Sequence, residues 1–138
     1  IMTNLYNHHD LHEMQLYPCA WGVTFNVSAG RLNAILNQRS QDVLVANNWN
    51  VAQYAALLHM FARVSGLIPG ELVHVIADAH IYDRHIPLVR ELLEREPYPA
   101  PILRINPEVT DFYRFRVEDF ILEDYRHGES LQGIPVAV

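Results

Sequence analysis

Cys19, in QLYPCAW (residues 15–21), is the only cysteine of the chain, and QRSQD (residues 38–42) carries an arginine, a hydroxyl and a carboxylate further on. A thiol does chemistry as its thiolate, whereas a free cysteine with no activating neighbour behaves as a small buried hydrophobe. Arg39 is a fixed cation with a planar fork suited to phosphate or carboxylate, and within hydrogen-bonding reach of a thiol it favours the thiolate. Ser40 and Asp42 add polar groups on one strand face; the plain alternative is a solvated strand end with a salt bridge. Asn50 offers an amide that both donates and accepts, the pattern that matches a uracil edge with an acceptor O4 beside a donor N3. Its simpler reading is a helix cap.

Two further clusters could hold a metal. HHDLH offers His8, His9, Asp10 and His12, and DAHIYDRH offers Asp78, His80, Asp83 and His85. Imidazole and carboxylate suit zinc or iron, but neither cluster has the H-E-x-x-H spacing that sets two ligands on one helical face. On a strand, Asp78, His80 and Tyr82 point the same way, so a polar turn and a hydrogen-bonding ladder are the expected outcome, and no metal.

Composition closes other routes. The chain has 138 residues and a formal net charge of −6, and its ten basic residues are all arginine. Without lysine there is no Schiff-base chemistry and no P-loop lysine. The four serines sit in no G-x-S-x-G setting, and G-x-G-x-x-G is absent. Little basic clustering argues against a DNA partner. No apolar run approaches the ~18 residues of a membrane span, so no membrane partner is expected. One cysteine and no signal-peptide pattern at the start lead to an expected cytoplasmic location. Ile1 precedes Met2 and opens a strand without a turn or cap, which suggests a piece of a longer protein.

The elements that must position these groups follow from periodicity. Residues 2–6 read as a short strand, followed by a polar turn or a single helical turn. Trp21, Val23, Phe25 and Val27 alternate on one face, SAG (residues 28–30) turns the chain, and Leu32, Ala34 and Leu36 alternate on the return. That hairpin brings Cys19 and Arg39 to one end of the sheet. Val51, Tyr54, Ala55, Leu58 and Phe61 mark a helix, capped by Asn48 or Asn50 and ended by Gly66. GELVHVIADAHIY reads as a long strand mostly buried on both faces, residues near 85–95 as a second helix, and PILRI and VEDFILEDY as strands. The expectation is one α+β domain over 1–138, a single, largely antiparallel sheet with packed helices.

Taken together, PC at 18–19, QRSQD, WNVAQYAALLHM, GLIPGELVHVIADAHIYDRH, REPYPAP and the terminal PVAV resemble thymidylate synthase across essentially the whole chain. The match is to the C-terminal, catalytic portion of that family, beginning just after its paired arginines. The resemblance implies a twisted thymidylate synthase-like fold, dUMP as substrate and 5,10-methylenetetrahydrofolate as co-substrate, giving dTMP by reductive methylation without a metal. It implies that Cys19 attacks C6 of dUMP and that Arg39 assists it. Arg39 and Ser40 would hold the phosphate, Gln41 and Asp42 would meet the pyrimidine, and Asn50 would read it. His80 and Tyr82, with Ile81 between them, would hold the ribose, while Asp42 and the Ala137 segment would contact folate. A homodimer is implied as well.

The chain departs from the family pattern in having Ala20 after the cysteine, where His is usual, and VANNWN before the helix. The family's N-terminal arginine, its glutamate and the arginine pair donated by a partner subunit have no counterpart here. The fragment is therefore expected to hold the nucleophile and much of the nucleotide pocket without turning over alone. Competing readings are a pyrimidine nucleotide hydroxymethylase, against whose cytosine form Asn50 argues, a non-catalytic nucleotide-binding or dimerisation fragment, and more remotely a metal hydrolase.

Overall fold

In the computed structural model, which describes residues 1–136, the hairpin around SAG organises the first of two units, Ile1–His80. Strands β2 (Ala20–Ser28) and β3 (Arg31–Gln38) pair antiparallel, with Ser28 opposite Arg31. Ala29 and Gly30 both take positive φ, 49° and 74°, the two-residue turn whose twist matches that of its strands. β1 (Met2–Asn4) adds antiparallel to β2 and stops short of the expected Tyr6.

A short β4 (Gln41–Asp42) and helix α1 (Asn47–Val64) lead to β5 (Ile68–Ile76), which pairs parallel with β3. A parallel neighbour needs a long crossover, and α1 supplies it. Leu67 donates its amide to Ala62 beyond the helix end, and Gly66 takes φ 65° there. The four-stranded order is β1-β2-β3-β5. Gly70 sits beside a register irregularity in β3, where a Cβ would lie 2.2 Å from Asn33 Oδ1 and 2.6 Å from the Leu32 carbonyl oxygen. Beyond β5 the chain bends, and β6 (Ala79–His80) pairs parallel with β4, setting Asp42 opposite His80.

The core is one sheet face against one helix face. Val23, Phe25, Leu32, Ala34 and Leu36 meet Tyr54, Leu58 and Ala62, and Leu36 is wholly buried. The helical residues stand four apart, one stripe of α1. The Phe25 and Phe61 rings pack edge to face at 5.1 Å.

Several expectations give way. Trp21 is exposed because β2 bulges there: Ala20 pairs with Gln38 and Gly22 with Asn37, leaving Trp21 as the extra residue. Val27, at the turn end, and Val51, in the first turns of α1, are also exposed, lying beyond the sheet–helix overlap. Neither Asn48 nor Asn50 caps α1; Ala46 is the capping residue and bonds through no side chain. The long strand divides at Ala77–Asp78 and is fully buried on neither face: Leu72, His74 and Ile76 are half-buried on one side, while Val73 and Val75 on the other are about half exposed, since β5 is an edge strand. The described residues form three sheets rather than one. The α+β class holds.

The second unit, Ile81–Val138, begins with a 3-10 turn, Asp83–His85, that runs into α2 (Ile86–Leu93) with proline near its start. EPYPAP then carries no regular structure. β7 (Ile102–Ile105) and β8 (Phe120–Glu123) pair antiparallel, joined across the ladder by Arg104 and Glu123 at 2.7 Å.

Candidate functional site

Hairpin register brings the nucleophile candidate to its arginine. Ala20 pairs with Gln38, so Cys19 and Arg39 are the next opposed residues, and the Arg39 amide donates to the Cys19 carbonyl at 2.8 Å. The Arg39 side chain continues along the same loop. Its Nε donates to the Pro18 carbonyl at 3.2 Å and its Nη2 to the Tyr17 carbonyl at 2.6 Å. One residue thus grips three successive carbonyls, 17 to 19, and Tyr6 Oη adds a fourth bond, to the Pro18 oxygen at 3.1 Å. Cys19 is half-buried with a free thiol. Pinning the backbone on both sides fixes where its Sγ can reach.

Ser40 lies between strands rather than on one, because β3 ends at Gln38 and β4 starts at Gln41. Gln41 is almost completely buried. Asp42 is half-buried; its Oδ1 accepts from the Leu44 amide at 3.0 Å and the Val45 amide at 3.3 Å, while Ala46 donates to the Asp42 carbonyl at 3.0 Å. That carboxylate therefore builds the turn into α1 by the local bonding that aspartate favours. Asn50 stands in the first turn of α1, its Oδ1 accepting from Gln38 Nε2 at 3.2 Å. His80, opposite Asp42 on β6, places Nδ1 3.3 Å from Asp78 Oδ2.

Cys19, Arg39, Ser40, Gln41, Asp42, Asn50 and His80 all belong to the first unit. Ile81 and Tyr82 open the second and do not continue the strand; the Tyr82 ring lies 5.5 Å from that of His85, edge to face. Ala137 lies outside the described residues. His85, a metal candidate on sequence, is buried with Nε2 2.8 Å from the Pro135 carbonyl, and Arg84 holds the Val136 carbonyl at 2.8 Å. Among the described residues no three His, Cys, Asp or Glu side chains come together as a metal would need. Nor is any helix there long and apolar enough to cross a membrane.

Sequence reasoning passed over Gln38 and His74. Gln38 is 2% exposed, and its amide donates to the Ser40 carbonyl at 2.8 Å, to Gln41 Oε1 and to Asn50, while its Oε1 meets His74 Nε2 at 2.9 Å. A signal was present: extending the alternation Leu32, Ala34, Leu36 by one step puts a polar side chain on the buried face.

Burial lowers the pKa of His74, and likewise that of His59 on α1. Between each lowered value and the unfolded ~6.5 the unfolded chain binds more protons, so stability rises with pH through that window. It is fully present above pH ~6.5 and is lost as pH falls through the folded-state values. Urea denaturation should give a lower midpoint at pH 5.5 than at pH 7.5, and a His59→Gln/His74→Gln variant should lessen the difference.

A family model described as thymidylate synthase matches residues 1–138. The chain belongs to the thymidylate synthase family. It is 44% identical over 130 residues to thymidylate synthase of Bacillus phage phi3T, covering 94% of this chain and 47% of that protein. It is 43% identical over 134 residues to the Clostridium beijerinckii thymidylate synthase, covering 96% of this chain and 51% of the relative. Among solved structures, thermostable thymidylate synthase A from Bacillus subtilis superposes with a TM-score of 0.91 at 41% identity, covering 97% of this chain and 48% of that one. The chain thus spans about half the length of the relatives it matches.

Proposed function

We propose that this chain is the C-terminal catalytic portion of a thymidylate synthase, one domain over 1–138, which methylates dUMP to dTMP. The observation that carries the reading is the clamp of Arg39 on the carbonyls of residues 17–19, which immobilises the segment bearing the one thiol. Cys19 Sγ, as thiolate, bonds to C6 of the uracil ring, and the displaced electron pair makes C5 nucleophilic. With 5,10-methylenetetrahydrofolate bound, C5 would take its one-carbon unit and then lose its proton to a base. That loss breaks the bond from the new carbon to the folate nitrogen and leaves a methylene on C5. The methylene would accept the hydride of the tetrahydrofolate so formed, giving the methyl group and dihydrofolate, while the C6–Sγ bond breaks and Cys19 leaves as thiolate.

Arg39 Nη1 and the Ser40 hydroxyl are suited to the phosphate, since the other guanidinium nitrogens already hold the loop. Asp42 walls the pyrimidine, with the buried Gln41 packed behind it rather than in contact, and Asn50 reads it. His80, Ile81 and Tyr82 serve the ribose. The Asp42 carboxylate, already oriented by two backbone amides, is a fitting acceptor for a pterin N–H; family resemblance alone adds Ala137 as a folate-binding residue. No metal takes part, and the cytoplasm is the expected setting.

A homodimer fits the outer face of the sheet. Met2, Thr24, Ile35 and Val73 form a row across the four strands, and both Met2 and Val73 present apolar surface to solvent. The test reads the first covalent step. Incubation with 5-fluoro-dUMP and methylenetetrahydrofolate should add the mass of both ligands to the intact protein. No mass gain, with nucleotide bound reversibly, would favour the binding-module reading; a gain requiring no folate would favour neither.

A further inference from the structure

Gln38 touches four polar groups, and one of them settles the direction of all the others. The Ser40 carbonyl 2.8 Å from its amide can only accept, so the side-chain group facing it must be the NH2. That same NH2 faces Gln41 Oε1 and Asn50 Oδ1, while the Gln38 oxygen faces His74 Nε2 at 2.9 Å. With Gln38 reversed, its oxygen would confront a carbonyl across a nearly dry gap, since Gln38 and Gln41 are 2% and 1% exposed. His74 must then carry its proton on Nε2, and Gln41, whose own Nε2 donates to the Asp42 carbonyl at 3.1 Å, must turn its oxygen inward. Asn50 faces the same demand. Its Oδ1 is drawn toward Gln38, and its Nδ2 has no partner among the described residues.

We infer that Gln38 is a positioning residue for base choice: it holds the Asn50 amide in the one of its two orientations that suits uracil. This rests on the proposed assignment of Asn50 to the base. An amide rotated by half a turn exchanges its donor and acceptor while keeping its shape. Uracil presents an acceptor O4 and a donor N3, and cytosine presents a donor N4 and an acceptor N3, so the two orientations complement different bases. Holding Oδ1 on the Gln38 side places Nδ2 outward for O4, and the second lone pair of Oδ1 remains for N3–H. The Asn50 contact is the longest of three served by two hydrogens, which makes it the one most readily lost if the hub is disturbed.

The test pairs a ligand-free measurement with a ligand-bound one. Proton exchange of the side-chain amides, followed by NMR in the nucleotide-free protein, should show slow Gln38 Nε2 protons and fast Asn50 Nδ2 protons. The opposite pattern overturns the inference whether or not the protein binds nucleotide. Calorimetric affinities for dUMP and dCMP then give a preference ratio. In Gln38→Met, of similar length without donor or acceptor, that ratio should fall by roughly tenfold, the worth of one misplaced hydrogen bond. In an Asn50→Ala background, Gln38→Met should leave the ratio unchanged, because the two residues act as one unit. A purely structural Gln38 would lower the unfolding midpoint and leave the ratio intact in both backgrounds, which overturns the inference. A wild-type protein with no preference for dUMP overturns the proposed function, while the exchange pattern still decides this point.

Discussion

Cys19→Ser is expected to abolish the covalent mass gain with 5-fluoro-dUMP and methylenetetrahydrofolate, slowing the addition step by more than about a thousandfold. A serine hydroxyl is far less acidic than a thiol, and attack would need a base to take its proton. The backbone bond to this residue comes from the Arg39 amide to the carbonyl, so changing the side chain leaves the clamp in place. Unfolding stability should therefore move by no more than about 0.5 kcal/mol, as at other partly exposed sites without a special role. Reversible dUMP affinity, read by calorimetry, should change far less than adduct formation. An adduct that survives the substitution would place the nucleophile on another residue and remove the central element of the proposed chemistry.

What could be read ahead of the structure was what depends on local periodicity. The β2–β3 hairpin follows from alternation on both sides of an Ala-Gly turn, and with it comes the approach of Cys19 to Arg39, a consequence of register alone. The α1 stripe was legible for the same reason at Tyr54 and Leu58. Trp21 defeated the alternation rule because a bulge is a property of two strands, visible in neither. Val73 and Val75 looked buried because β-branched runs do not announce that their strand lies at a sheet edge. For the candidate site, sequence offered residue types and not the network that joins them. The target of the Arg39 side chain depends on a loop 21 to 22 residues upstream, and the Gln38 hub joins the end of β3 to β5 and α1, elements that no single period relates. Asn50 is the clearest case. An asparagine near a helix start is an ordinary cap, yet here Ala46 takes that position and the amide is left for Gln38.

The second large effect is expected at Arg39. In Arg39→Lys the charge stays, but a single ammonium cannot reproduce a fork that reaches the Tyr17 carbonyl at 2.6 Å through Nη2 and the Pro18 carbonyl at 3.2 Å through Nε. Hydrogen bonds from a charged donor contribute about 1.5–3 kcal/mol each, so losing even one releases much of the hold on the cysteine segment. Adduct formation should fall by roughly a hundredfold, and by more in Arg39→Ala, where the cation proposed to hold the phosphate is removed as well. The backbone bond from residue 39 to Cys19 survives both substitutions, and Tyr6 still reaches the Pro18 oxygen, so the hairpin should stay paired and the segment loosen only ahead of it. Amide hydrogen exchange separates the two contributions. Faster exchange confined to the segment ahead of β2, together with slower adduct formation in the lysine variant, identifies positioning of the nucleophile as a role distinct from charge. Unchanged exchange with a weakened dUMP affinity would instead assign Arg39 to the phosphate alone. Wild-type adduct rates in Arg39→Lys would leave the clamp without a part in the chemistry, because then only the positive charge, and not the fork, is needed at that position.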